Sequence, residues 1–302
     1  MRKYIVFMAL SLISMSTYAC EICGCGVGNY YIGLLPNFKH SFFGVRYQFR
    51  SFDTRMALDP TQFSKDNYRT MEVWGGFNIG KRWQVLAFIP YNVSHQVSDE
   101  GRTDRSGLGD IAMMANYKLF DIRSSSSGNK LTTQRLWLGA GLKVPTGKFN
   151  IDPNDPDVAS AANTQIGSGS TDIVLTLTHQ LQSGRFGVNT NIGYKVNTVN
   201  GNKYLFGNRF NINSFVFYSV AAGRNTITPN VGLMYENAGK NKLDGVVLDQ
   251  TGGHLLAAAG GVEFGMGRIS IGGNLQMPVA QDFAGGQTVA HLRGMAHVTF
   301  TL

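Results

Sequence analysis

The chain has 302 residues, a formal net charge of +8, only 15% charged residues, 37 glycines and 11% aromatics. Its basic excess forms no Lys/Arg run of the kind that grips nucleic acid, which argues against a nucleic-acid partner. Beyond the first residues no apolar stretch reaches the roughly 20 residues of a membrane helix, yet so little charge suits a water-soluble protein poorly. A membrane protein that crosses the bilayer with strands satisfies both constraints.

At the N-terminus, Arg2 and Lys3 precede a mostly apolar stretch from Ile5 to Ile13, and small residues lead to Thr17-Tyr18-Ala19. This is the pattern of a cleaved secretory signal over residues 1–19. Lipoprotein processing at Cys20 is the rival route, opposed by Thr17 where a Leu-like residue is usual and by bulky Tyr18. Residues 20–37 form a short periplasmic segment that carries all three cysteines, in Cys20-Glu21-Ile22-Cys23-Gly24-Cys25. Soft thiolates at this spacing can bring two or three sulfurs to one copper(I) or zinc ion, with Gly24 easing the tight bend. Such a site would imply a periplasmic metal-handling partner. A Cys20–Cys23 disulfide that leaves Cys25 odd, or lipid on Cys20, uses the same residues.

From residue 38 to 302 the dominant signal is a period of two. In 40–51, Phe43, Val45, Tyr47 and Phe49 oppose Arg46, Gln48 and Arg50; in 69–79, Met71, Val73, Phe77 and Ile79 oppose Glu72, Trp74 and Asn78. Strands follow over 83–93 and 108–119. In 134–144, Leu136, Leu138, Leu142 and Val144 oppose Arg135, Trp137 and Lys143. After a strand at 171–181 comes the clearest one, 185–197, where Phe186, Val188, Thr190, Ile192, Tyr194 and Val196 alternate with Gly187, Asn189, Asn191, Gly193, Lys195 and Asn197. Strands at 204–220, 226–236, 255–264, 268–279 and 290–302 complete a set of twelve. The last places Ala290, Leu292 and Phe300 on the face opposite His291, Arg293 and His297.

Connections alternate in length. Tight turns are expected at 80–82, 182–184, 221–224 and 266–267, and longer loops at 53–68, 98–107, 145–170, 237–253 and 280–287; the serine run 124–128 makes one turn long. Strands of eleven or more residues suit a bilayer crossing better than a soluble sandwich. The expected fold is all-β: a single antiparallel up-and-down transmembrane β-barrel of about twelve strands in the outer membrane of a Gram-negative bacterium. An even strand count puts both termini on the periplasmic side, with Trp83, Phe186 and Phe300 in the aromatic girdle there.

With Phe186 toward lipid, the inward face carries Arg46, Arg50, Glu72, Trp74, Asp110, Lys118, Arg135, Trp137, Lys143, Asp172, Lys195, Arg209, Glu236, His291, Arg293 and His297, with Phe88, Phe215 and Phe217 beside them. His291 and His297 stand roughly 20 Å apart along one strand, too far to share a metal ion. No nucleophile elbow, phosphate loop or HExxH string occurs, and no Ser–His pair of a barrel hydrolase can be assigned from a motif, so no enzyme is expected. The acidic loop at 152–157 lacks the glycine and closing glutamate of an EF-hand.

Several punctuating motifs recur in order: Gly107-Leu108-Gly109-Asp110-Ile111, Leu142-Lys143-Val144-Pro145-Thr146-Gly147-Lys148, Gly167-Ser168-Gly169-Ser170-Thr171-Asp172-Ile173, Thr251-Gly252-Gly253, and Leu275-Gln276-Met277-Pro278-Val279 followed by Gly285-Gly286-Gln287. The series resembles the outer-membrane transporter-like family named for the MetA pathway of phenol degradation, over almost the whole chain from about Phe38. The resemblance implies a monomeric barrel in outer-membrane lipid that handles small, often hydrophobic or aromatic solutes. The motif residues also have a purely structural reading, in which glycines permit bends and Asp110 and Asp172 cap loop N–H groups. The expected function is a small-solute channel or transporter. The alternatives are a copper- or zinc-handling barrel without an open pore and, more remotely, a barrel enzyme.

Overall fold

A computed structural model describes residues 40–56, 61–126, 130–155 and 157–302; the signal and the cysteine cluster fall outside them. Among the described residues, twelve antiparallel strands close into one barrel. They are β1 (Phe42–Arg55), β2 (Phe63–Ile79), β3 (Trp83–Ser98), β4 in two pieces (Gly101–Leu108 and Ile111–Ser126), β5 (Lys130–Val144) and β6 (Asp172–Ser183). The second half is β7 (Phe186–Val196), β8 (Arg209–Tyr218, continued by Val220–Ala222), β9 (Asn225–Ala238), β10 (Gly253–Met266), β11 (Ile269–Phe283) and β12 (Thr288–Ala290 and Arg293–Thr301). Each strand pairs with its sequence neighbours, and β12 returns to β1 with Phe43 opposite Phe300 and Arg46 opposite His297. Closure removes the sheet edges, so the backbone hydrogen bonds of the wall are satisfied without water, as hydrocarbon demands.

The barrel is inverted relative to a soluble protein. Val231 is 64% exposed, Phe77 63% and Met71 55%, whereas Arg46 and Glu72 are only 2% exposed. Apolar side chains face outward because the outer solvent is lipid, and polar ones fill the centre. Aromatics bracket this apolar band. Trp83, Phe186 and Tyr218 lie at one end, and Tyr91, Tyr194 and Phe210 lie eight residues away on the same strands, roughly 26 Å along the chain. The Trp83 and Tyr117 rings meet at 4.8 Å, and Phe43 stacks on Phe300 at 5.3 Å, both at the first end. That end carries the short turns, and Gly184 and Gly267 there take φ of about +60°, where a side chain would strain the backbone.

At the opposite end the strands run further than the alternation shows. Residues expected in loops at 53–68, 98–107 and 280–287 are largely paired, and β3 turns into β4 through Asp99 and Glu100 alone. Beyond the lipid both faces of a strand meet water, so the apolar–polar contrast that marks a strand disappears. At the short-turn end, the serine run continues β4 as far as Ser126. The expected strand 204–220 is divided. Tyr204–Leu205 leaves the barrel to pair with Lys242–Leu243, which pairs in turn with Val246–Val247. Strand β12 breaks at His291 and Leu292, which shifts the face by one residue, so Ala290 is buried and His291 is not.

Residues 145–155 and 157–171 form a lid over the long-loop mouth, stiffened by a short helix α1 (Val158–Asn163). Val158, Ala162 and Ile151 pack on Tyr204 and Phe206, whose rings meet at 4.8 Å. Polar ties hold the lid at several points around the rim. Asn92 donates to the Ile166 carbonyl at 2.9 Å, Gln96 to the Ser160 hydroxyl at 3.1 Å, and Asn200 to the Ser168 carbonyl at 2.9 Å.

Candidate functional site

The interior is organised by register. Glu263 on β10, Gly272 on β11, His297 on β12, Arg46 on β1 and Glu72 on β2 are successive cross-strand partners and so lie along one row. Gly272 leaves a gap that Glu263 fills, since a Cβ there would fall 1.9 Å from the Glu263 carboxylate. Glu263 Oε1 lies 3.0 Å from His297 Nε2, and the Arg46 guanidinium meets the Glu72 carboxylate directly. The guanidinium carbon also lies 5.1 Å from the Trp74 ring centroid and 5.8 Å from that of Phe88, and His297 abuts Trp74 edge-on at 6.2 Å. Charges at this depth persist only when paired, and the two rings add cation–π attraction on a desolvated guanidinium.

Nearer the lid, the glycine-rich punctuating motifs of the sequence converge in space. Lys143 Nζ lies 2.6 Å from Asp110 and 2.9 Å from Asp172, and Lys195 lies 3.8 Å from Asp172. Asp110 accepts hydrogen bonds from the backbone N–H of Gly147 at 3.0 Å and of Ser168 at 2.9 Å, at the two ends of the lid. Lys143 also donates to the Ser168 hydroxyl and to the Ser170 carbonyl, and Ser170 donates to Asp172 at 2.8 Å. Gly147 and Gly167 cross so closely that a Cβ on either would meet the other's backbone within 2.7 Å. The cluster therefore pins both stems of the lid to the wall, a larger role than capping loop N–H groups.

A third group bridges the bore. Arg293 on β12 reaches Glu236 on β9 through two contacts of 3.0 and 3.2 Å, although β10 and β11 separate their strands. Arg50 and Arg209 also act on that carboxylate. Toward the short turns, Asp121 receives Arg135 at 3.2 Å, Lys118 at 3.5 Å and Arg123 at 3.7 Å, and Lys118 lies 5.0 Å from the Trp137 ring.

Of the side chains expected to face inward, Arg46, Glu72, Trp74, Asp110, Arg135, Trp137, Lys143, Asp172, Lys195, Arg293 and His297 are buried, and Arg50, Arg209 and Glu236 are partly so. They form separate clusters and not one site. His291 is the exception: the break in β12 places it at the exposed rim, 3.4 Å from Asp53. The sequence reading missed Glu263, because Ala257, Ala259 and Gly261 on the inward face of β10 differ too little from Ala258 and Gly260 on the outward one. Asp121 was masked by the bulge between Lys118 and Phe120, which changes the parity of β4. Among the described residues no group of three or more His, Cys, Asp or Glu side chains is arranged to hold a metal ion.

Side chains fill the bore at mid-height: Trp74, Arg46, Phe88, Phe215 and Glu72 are each at most 2% exposed. Recesses flank this plug. One of about 580 Å³ opens at the short-turn end beside Lys81, Arg82, Lys118, Phe120 and Trp137. Another of about 350 Å³ lies between the β3–β4 hairpin and the lid. In the latter, Asp157 foremost, then partial burial, Asp99 and Asp155 push the Glu100 carboxyl above its usual range. On the same hairpin, hydrogen bonds from His95 and Arg102 hold Asp104 below it.

A closed barrel with an apolar exterior and an ion-paired interior defines this protein as an outer-membrane β-barrel, whose outer face contacts the lipid of that membrane. The profile of the family described as "Putative MetA-pathway of phenol degradation" matches residues 61–286, and the chain belongs to that family. Among solved structures, an outer membrane channel from Pseudomonas putida F1 is similar in fold, with a TM-score of 0.60 and 14% identity over 87% of this chain and 96% of that one. The β-domain of the Bordetella autotransporter BrkA matches at a TM-score of 0.49 and 11% identity, over 87% of this chain and 100% of that one. The translocator domain of the autotransporter NalP from Neisseria meningitidis matches at 0.46 and 11%, over 90% and 91%. No curated protein matches the chain by sequence.

Proposed function

We propose that this protein is a monomeric outer-membrane channel that passes small solutes and catalyses no reaction. The observation that carries the reading is the inverted barrel, whose polar interior runs between a recess at either end. Its fold likeness to the Pseudomonas putida outer membrane channel supports it. The short turns and the strand ends at Phe42 and Thr301 lie on the periplasmic side, and the lid faces outward, as in barrels of this type. The mid-bore plug makes the resting state tight, and passage requires the Trp74–Arg46–Phe88 stack to move. The apolar side chains within the bore, Phe215, Phe217 and Met234 among them, suit a cargo that is partly apolar.

Uptake into proteoliposomes tests this reading. Wild-type barrels should admit solutes of a few hundred daltons slowly and exclude large ones. The double variant Trp74→Ala/Phe88→Ala should admit the same solutes faster. If neither protein increases uptake over empty liposomes, the channel reading fails.

A further inference from the structure

The outward face of β2 changes character at Met71. From Ile79 to Met71 it is apolar, and beyond Met71 it presents Arg69, Asn67 and Lys65, all exposed. Met71 stands level with Tyr47 on β1 and with Tyr91 and Leu108 on β3 and β4, at the top of the apolar band. Arg69 therefore emerges roughly 7 Å along the strand above that edge, with Lys65 two alternate positions further out. Lys65 is level with Arg102 on β4, and Arg55 ends the same outward face of β1.

Among the described residues, the side chains of Arg55, Lys65 and Arg69 have no ion-pair or hydrogen-bonding partner. The two carboxylates on this face have other neighbours: Asp53 lies 3.4 Å from His291, and Asp104 is shared by His95 and by Arg102 at 2.7 Å. Asp99 and Glu100, at the hairpin tip, line the recess beside the lid. On β5 to β12 no outward position above the aromatic level is Lys or Arg among the described residues; β7, β8 and β9 carry Thr198, Asn208 and Asn237 beyond Tyr194, Phe210 and Tyr235. The uncompensated positive charge is thus confined to one third of the wall, directly above the hydrocarbon. Basic side chains in that position attract anionic lipid headgroups, and guanidinium and ammonium groups are strong donors to phosphate.

We infer that this face of β1 to β4 is a binding site for lipid A, the phosphorylated glycolipid of the outer leaflet. Its phosphates lie against Arg69 and Lys65, Asn67 meets its sugar hydroxyls, and its acyl chains run down over Met71, Val73 and Phe77. The inference rests on the orientation proposed above, with the short turns periplasmic, and adds a lipid partner to the channel reading.

The test uses the full barrel in mild detergent, titrated with bisphosphorylated lipid A, with dephosphorylated lipid A and with phosphatidylglycerol, and read by native mass spectrometry. Folding of each variant is confirmed by its different migration unheated and boiled. The wild type should retain bisphosphorylated lipid A in preference to the other two lipids. Two basic residues beside a lipid surface account for roughly thirtyfold in affinity, so Lys65→Gln/Arg69→Gln should weaken retention by that factor. Arg224→Gln, in the short turn between β8 and β9, should leave it unchanged. Retention by the double variant equal to that of the wild type would overturn the site. Equal retention of phosphatidylglycerol or of the dephosphorylated form would overturn the lipid A assignment. In intact cells a membrane-impermeant maleimide should label Lys65→Cys, and absence of label would overturn the placement in the outer leaflet. Lipid A binding without any solute uptake into phospholipid liposomes removes the channel reading and leaves the site, whereas uptake without lipid A binding removes the site alone.

Discussion

Arg46 and Glu72 sit opposite each other on β1 and β2, each 2% exposed, and join in an ion pair whose guanidinium lies 5.1 Å from the Trp74 ring. Glu72→Ala should take the carboxylate from the buried Arg46 charge and cost about 3–5 kcal/mol, whereas the double change Arg46→Met/Glu72→Leu should cost much less. Urea unfolding of the detergent-solubilised barrel, followed by circular dichroism, measures both. Equal losses in the two variants would mean that the pair itself, and not the uncompensated charge, sets the cost.

Lys143 links Asp110, Asp172 and the lid residues Ser168 and Ser170. Lys143→Met should free the lid stems and expose residues 145–171 to protease, because Asp110 and Asp172 then repel each other across the vacated position. The strands pair independently of that side chain, so the barrel should stay heat-modifiable. A lid as resistant in the variant as in the wild type would show that Tyr204, Phe206 and the other apolar contacts hold it unaided.

The contact between the β3–β4 hairpin and the lid should tighten at acid pH. Glu100 is raised by Asp157, by partial burial and by Asp99 and Asp155, with Arg102 and Arg105 lining the same recess. A carboxyl whose pKa is raised on folding opposes the folded contact once pH exceeds its ordinary value. Relief therefore appears as pH falls through the raised pKa. Hydrogen exchange near residues 99–102 and 155–158 should slow across that interval, and Glu100→Gln should flatten the response.

The cysteine cluster remains a proposal drawn from sequence. Reduced mature protein should bind about one copper(I) or zinc ion per chain, with sulfur coordination visible by X-ray absorption. Cys23→Ser combined with Cys25→Ser should abolish that binding while the barrel stays folded, since its strands lie elsewhere. Mass spectrometry should find a free amine on Cys20 after ordinary signal cleavage and a diacylglyceryl thioether after lipoprotein processing. Unchanged metal content in the double variant would leave these thiols to disulfide or lipid chemistry.

The sequence by itself determined the class of fold, the number of strands and most of their faces. In residues 185–197, lipid on one side and polar interior on the other impose an alternation that no helix could keep. This information is local, written strand by strand, and it fades wherever both faces meet the same medium. That is why the extension of β3 and β4 past the lipid looks like loop in the sequence, and why the small residues of β10 conceal Glu263. Only the tertiary structure decided which rows of side chains lie level, because level is set by register accumulated around the whole barrel. That register brings His297 to Glu263 over Gly272, carries Glu236 across to Arg293 on a strand it never pairs with, and gathers Asp110, Lys143, Ser168 and Asp172 from three separate motifs into one latch. The break in β12 that turns His291 outward depends likewise on pairing with β1 and β11, contacts that residues 288–293 do not encode alone.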